Sequence, residues 1–213
     1  MDKIIEGYMS VPFGELNYCY KNDIMYQRDM HISIEYDKHY FAKYVSHENS
    51  EIARKLNQGR TSITEKYCLK ILDIGIGSGE FIKKSNIFTY GYDINPVAIK
   101  WLMERQIYVD PYTNMPEVDG LTFWDSLEHI PNPGQLLSLI PSGKYVFISL
   151  PIFNDLLKVR SSKHYKPNEH YYYFTANGMI GWMKDSGFDL LEMSDFETRA
   201  GREDILTFVF KKN

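Results

Sequence analysis

From Cys68 to Asn213 short apolar runs alternate with amphipathic stretches. CLKILDI (68–74) is a continuous apolar run that stops at a glycine-rich turn, the pattern of a strand buried on both faces of a parallel sheet. GEFIKKSN (79–86) predicts a short helix, and FTYGYDI (88–94) a second strand. Pro96 stands where a first helical residue belongs and opens a predicted helix over 96–105, with Ala98, Trp101, Leu102 and the stem of Arg105 on one face. QIYV (106–109) and LTFW (121–124) supply a third and a fourth strand. After the HIPNP break, Asn132 can cap a helix that starts at Pro133 and runs through QLLSLI. YVFISL (145–150) is the fifth strand. Thr175 then reads as the N-cap of a helix that carries Ala176, Met179, Ile180 and Met183 on one side and stops at Gly187. FDLLEM and ILTFVFKK follow one another with no helix between them, which predicts an antiparallel pair.

Repeated strand–helix alternation predicts an α/β fold in which a mostly parallel sheet carries helices on both faces, joined by right-handed crossovers. Ligands of such sheets lie beyond the carboxyl ends of the strands. The chain before Cys68 reads differently. It is polar, tyrosine-rich and irregular up to Asp37, then helical over 37–46 and 50–59, with Ile52, Leu56 and the stem of Lys55 at helical spacing and Gly59 as the helix end. Residues 1–67 are therefore expected to form a cap or lid over a domain made by 68–213. No repeat, low-complexity tract or Gly/Pro/Ser linker interrupts the sequence.

Composition narrows the classes. The 213 residues suit one domain with a modest extension, and 44% hydrophobic against 24% charged residues is ordinary for a globular chain with a buried core. A net charge of -4, from 24 basic and 28 acidic residues, offers no positive field to gather phosphates, so a nucleic-acid partner is not expected. Two cysteines, Cys19 and Cys68, make neither a disulfide framework nor a CxxC site, which points to a reducing, cytoplasmic setting. MDKIIEGYMS lacks the basic start and apolar stretch of a signal peptide, and the longest apolar run, about nine residues, is half of a membrane span. Tyrosine is abundant: 17 in all. They concentrate in residues 1–44 and in 161–174, outside the strand–helix alternation.

The chemistry begins at the turn after the first strand, Asp73-Ile74-Gly75-Ile76-Gly77-Ser78-Gly79-Glu80. Glycine there lets the backbone take positive φ and approach a ligand closely. A P-loop needs Lys then Ser/Thr after its last glycine, but Glu80 and Phe81 follow. The dinucleotide fingerprint needs glycine or alanine at position 80, where the Glu80 charge would face a pyrophosphate. What remains, DIGIGSGEF with Asp93 closing the second strand, resembles class I S-adenosylmethionine-dependent methyltransferases. LTFWDSLEHIPNP is similar to the segment after the fourth strand of small-molecule O-methyltransferases, and GMIGWMKDSGFDLLEM resembles the helix and sixth strand of that family. The matched segments run in order over 68–213.

This resemblance implies a Rossmann-like doubly wound sheet of seven mostly parallel strands with the last one reversed, and S-adenosyl-L-methionine as cofactor. It places Gly75, Gly77 and Gly79 near the methionine part, with Asp73 organising the turn through hydrogen bonds. It puts the ribose on Asp93, the adenine against Ile94 with Asp110 near its amino group, and Trp124 and Asp125 beside the cofactor. His129 stands just past the fourth strand and is the candidate base, an unperturbed histidine having a pKa of about 6.5. Asp125, Glu128 and His129 also resemble the acid-x-x-Glu-His arrangement of metal-assisted ubiquinone-pathway O-methyltransferases. Three ligands in one short segment are not diagnostic, so no metal is assigned. SSKHYKPNEHYYYFT (161–175) matches the place of an acceptor-pocket insertion, which makes Tyr165, His170 and Tyr172 candidate substrate contacts.

The expected activity is methyl transfer to a small-molecule acceptor, at oxygen by the LEHI resemblance. Sugar, protein and nucleic-acid acceptors, and a non-catalytic cofactor-binding regulatory subunit, stand as alternatives. An amino-group methyltransferase of nucleic acids would show Asn/Asp-Pro-Pro-Tyr/Phe after the fourth strand, where this chain has WDSL. A lid, a homodimer contact and a partner-binding arm are the roles open to residues 1–36.

Overall fold

A computed structural model describes residues 10–28 and 50–213. A six-stranded sheet forms the centre, in the order β5 (Phe88–Tyr92), β4 (Lys70–Ile74), β6 (Gly120–Trp124), β7 (Tyr145–Pro151), β10 (Ile205–Lys212), β9 (Phe188–Ser194). β5, β4, β6 and β7 run parallel, and β10 is antiparallel to both β7 and β9. The strand read at QIYV survives as one parallel bridge between Gly91 and Tyr108 beyond β5. It stays that short because Gln106 turns the chain at φ 56° immediately before it and Pro111 follows soon after. With that bridge, the mostly parallel α/β sheet and its reversed strand are as the sequence implied.

β4, β6 and β7 lie almost wholly in the core because helices cover both faces of a parallel sheet. The helix α3 (Pro96–Glu104) starts at Pro96, with the Asn95 side chain accepting from Val97 N at 2.9 Å, and buries Ala98 and Leu102. α4 (Pro133–Leu139) is capped by Asn132 and α5 (Ala176–Asp185) by Thr175, as their sequences predict. Between β4 and β5 runs α2 (Glu80–Lys84); α6 (Phe196–Arg199) is a single turn before β10.

Two expectations for the first third of the chain are corrected. The stretch read as irregular contains β1 (Ser10–Phe13), β2 (Leu16–Cys19) and β3 (Ile24–Gln27), an antiparallel meander whose fourth strand is β8 (Tyr172–Phe174). Leu16, Cys19, Ile24 and Met25 are fully buried there, so the segment has its own apolar face. Local sequence hides it because the closing partner is remote: Gln27 Nε2 donates to Tyr173 Oη across 146 residues. The helix α1 (Glu51–Glu65) does not stop at Gly59 but passes through it. A Cβ at Gly59 would lie 2.4 Å from the Phe196 ring, so this glycine admits a close neighbour instead of ending a helix. The helix read over 37–46 lies outside the described residues.

Candidate functional site

The carboxyl ends of β4, β5 and β6 open into a cleft of about 560 Å3, closed on its other side by α1. Its floor is the glycine turn. Gly75, Gly77 and Gly79 have φ of 77°, 56° and 73°, left-handed values that disfavour any residue with a Cβ. At Gly75 the reason is also steric: a Cβ would sit 2.7 Å from that of Ser126, whose hydroxyl donates to Ile74 O at 2.6 Å. β4 and the loop after β6 are thereby locked together under the cleft.

Asp93 braces the turn. One of its carboxylate oxygens accepts from Gly77 N at 3.3 Å and the other from Asn95 N at 2.8 Å. Burial raises its pKa against these opposing bonds. Asp73, expected to organise the turn, bonds sideways across the sheet instead, accepting from Thr122 Oγ1 at 2.6 Å. With 2% of its surface exposed, its pKa is pushed up to about 7 by burial.

Of the other expected cofactor contacts, Ile94, Trp124 and Asp125 line the cleft with Gly75 and Gly77. Gly79 does not; it is the N-cap of α2 and packs against Trp101. Asp110 does not either, because its carboxylate caps its own turn, accepting from Tyr112 N at 2.9 Å. Tyr112 takes that place in the wall.

Asp125 is the most constrained of these residues. Its φ is 55°, and its carboxylate accepts from Arg202 Nη1 and Nη2 at 2.7 and 2.8 Å and from Arg60 Nη2 at 3.1 Å. Glu197, wholly buried, accepts from the same two guanidiniums. Burial acts to raise the pKa of Asp125, but Arg202 and then Arg60 outweigh it and hold the carboxyl well below the usual range. Arg60 also lies 5.0 Å over the Trp124 ring, which meets Phe81 edge-to-face at 5.4 Å. Local reading missed this alternating ring of charges because its members lie on α1, the β6 end, α6 and the loop before β10.

His129 closes a 3-10 turn over Leu127–His129 and lines the cleft. Burial lowers its pKa, so the imidazole is neutral at pH 7 and able to accept a proton. The ring of His170 meets it edge-on at 4.7 Å.

The expected substrate contacts are relocated: Tyr165, His170 and Tyr172 do not line the cleft. Tyr165 packs on Tyr173 at 5.4 Å, in the cluster beneath the N-terminal meander. Tyr172 is in β8, and its hydroxyl donates to Pro131 O at 2.7 Å, behind the cleft wall. His170 is buried behind His129. The tyrosine-rich segment is sheet and packing because three consecutive aromatics find a ready-made partner in β3. Among the described residues, no helix is long and apolar enough to cross a membrane.

The profile of the family described as "Methyltransferase domain" matches residues 36–193. No curated protein matches the chain. Among solved structures, a SAM-dependent methyltransferase from Archaeoglobus fulgidus aligns with a TM-score of 0.57 at 21% identity, over 82% of this chain and 100% of that one. Magnesium protoporphyrin IX methyltransferase from Synechocystis, solved with bound SAH, gives 0.59 at 14%, over 84% and 96%. A 1,6-didemethyltoxoflavin-N1-methyltransferase from Burkholderia thailandensis, with bound 1,6-didemethyltoxoflavin and S-adenosylhomocysteine, gives 0.53 at 13%, over 94% and 100%. At these identities the likeness is one of fold.

Proposed function

The chain belongs to the methyltransferase-domain family, and from that premise we propose that it transfers a methyl group from S-adenosyl-L-methionine to a small-molecule acceptor, at oxygen. One observation carries the reading: a left-handed glycine turn, braced by Asp93, floors a cleft of about 560 Å3 at the carboxyl ends of parallel strands.

In this reading Gly75 and Gly77 let the backbone approach the methionine part, and Asp93 accepts from the ribose hydroxyls. Ile94 and Tyr112 flank the adenine, while Trp124 and the Arg60–Asp125 pair border the opposite end. Residues 68–213 form the donor-binding unit and, of the described residues before them, α1 covers it, with Ile52 and Leu56 meeting the acceptor across from Ile130 and Pro131. The sulfonium already activates the methyl group, so this chain's contribution is alignment of donor and acceptor for in-line displacement. The methyl–sulfur bond breaks as the methyl–oxygen bond forms. His129, neutral and beside the cleft, takes the proton that the acceptor oxygen gives up.

Calorimetric titration with S-adenosyl-L-methionine tests the premise, and absence of binding at millimolar donor would refute it. Asp93→Ala should weaken binding at least tenfold; unchanged affinity removes the ribose assignment. A labelled-donor screen of phenols, sugars and nucleotides identifies the acceptor. With that acceptor, His129→Ala that keeps full turnover from pH 6 to 8 would end the base assignment.

A further inference from the structure

Behind the cleft wall, Glu128, His129 and His170 each contribute a ligand-type atom, a carboxylate oxygen or a ring nitrogen, and these three atoms lie within 4.8 Å of one another. Glu128 and His170 are 2% and 3% exposed, and His129 borders the cleft. Glu128 Oε2 is buried with no hydrogen-bond partner among the described residues, an arrangement that costs free energy unless something satisfies it. From this juxtaposition of two imidazoles with an unpartnered buried carboxylate, we infer a binding site for one divalent transition-metal ion.

The geometry and the donor set fit that occupant. Lone pairs converge from three side chains. Two imidazoles and one carboxylate suit zinc, cobalt, manganese or iron rather than magnesium or calcium, which prefer oxygen. Ligand atoms around such ions sit about 3–3.5 Å apart, so any pair near the 4.8 Å limit would draw closer on binding.

The ligand set differs from the acid-x-x-Glu-His reading of the sequence. Asp125 is committed to Arg60 and Arg202. The third ligand comes instead from the segment leading into β8, 41 residues beyond His129. An ion here ties the end of β6 to the strand that completes the N-terminal sheet. On the methyltransferase reading, an ion here would occupy the His129 lone pair. In the metal-loaded protein an open coordination position, by lowering the pKa of a bound hydroxyl, would then replace His129 as the means of removing the acceptor's proton.

The test uses the full chain, stripped with chelator, and Co2+ as the probe, without methyl donor or acceptor, so its outcome stands apart from the methyltransferase reading. Visible d–d bands should saturate at one Co2+ per chain and be displaced by Zn2+, not by a hundredfold excess of Mg2+. His170→Gln and Glu128→Gln should each weaken Co2+ binding at least tenfold while far-ultraviolet circular dichroism stays unchanged. If those variants fail to fold, the wild-type protein decides: its paramagnetic proton spectrum should show the signature of two coordinated imidazoles. No saturable Co2+ binding, a His170→Gln protein that binds as wild type, or any count other than two overturns the site.

Discussion

Asp73→Asn should make the protein more stable, increasingly so as the pH rises. Asp73 is 2% exposed and sits at the end of β4, its carboxyl raised by burial from 3.8 to about 7, with Thr122, Arg60 and Asp93 modulating that shift. Below pH 3.8 both folded and unfolded chains hold the proton, and the group is neutral to stability. Between 3.8 and 7 the unfolded chain releases the proton while the folded one keeps it. Stability therefore falls by ~1.4 kcal/mol per pH unit across that window and levels off above it, a total of ~4 kcal/mol. Asparagine keeps an oxygen for the Thr122 hydroxyl and cannot ionise, so the variant escapes this loss. Urea unfolding followed by tryptophan fluorescence should show the variant's advantage growing by ~3 kcal/mol from pH 5 to pH 7 and flattening beyond, at constant denaturant slope. An offset independent of pH would mean that Asp73 ionises as freely in the fold as in the open chain, and the burial argument would be wrong.

Gly75→Ala should lower donor affinity at least tenfold in calorimetry, because φ of 77° and a Cβ 2.7 Å from Ser126 force the turn to move. Arg60→Met should destabilise by ~3–5 kcal/mol, since it removes one of the two guanidiniums from wholly buried Glu197. Adding Glu197→Met to Arg60→Met should recover part of that loss, measured as the urea midpoint; a further fall would show that the ring is worth more than the cost of burying it. Tyr172→Phe should cost about 1 kcal/mol by removing the hydrogen bond to Pro131 O, with donor affinity unchanged.

What could be read in the sequence follows distance along the chain. The β4–turn–β5 unit was legible because Asp73, the glycines and Asp93 lie within 21 residues and each obeys a local rule of strand, turn or cap. The caps Asn132 and Thr175 were legible for the same reason. Gly59 misled because a glycine that ends a helix and one that admits Phe196 look alike until the second element is in place. Apart from the Glu197–Arg202 pair, the Arg60–Asp125–Glu197–Arg202 ring and the His129–His170 contact join residues 41 to 137 positions apart, with no motif to announce either. Tyrosine abundance correctly marked 161–174 as unusual, but its rings pack against β3 and the meander instead of facing the cleft.

The meander has a bearing on how the chain is made. Its three strands are made well before the fourth, Tyr172–Phe174, since Gln27 and Tyr173 lie 146 positions apart. Until then β3 offers an unpaired edge, and Ile24 and Met25 lack the strand and packing that bury them. Contacts of such long sequence separation form slowly. The nascent chain therefore carries an open strand edge until Tyr172–Phe174 has been made, and a break anywhere between Gln27 and Tyr172 would unsettle the meander as surely as the central sheet.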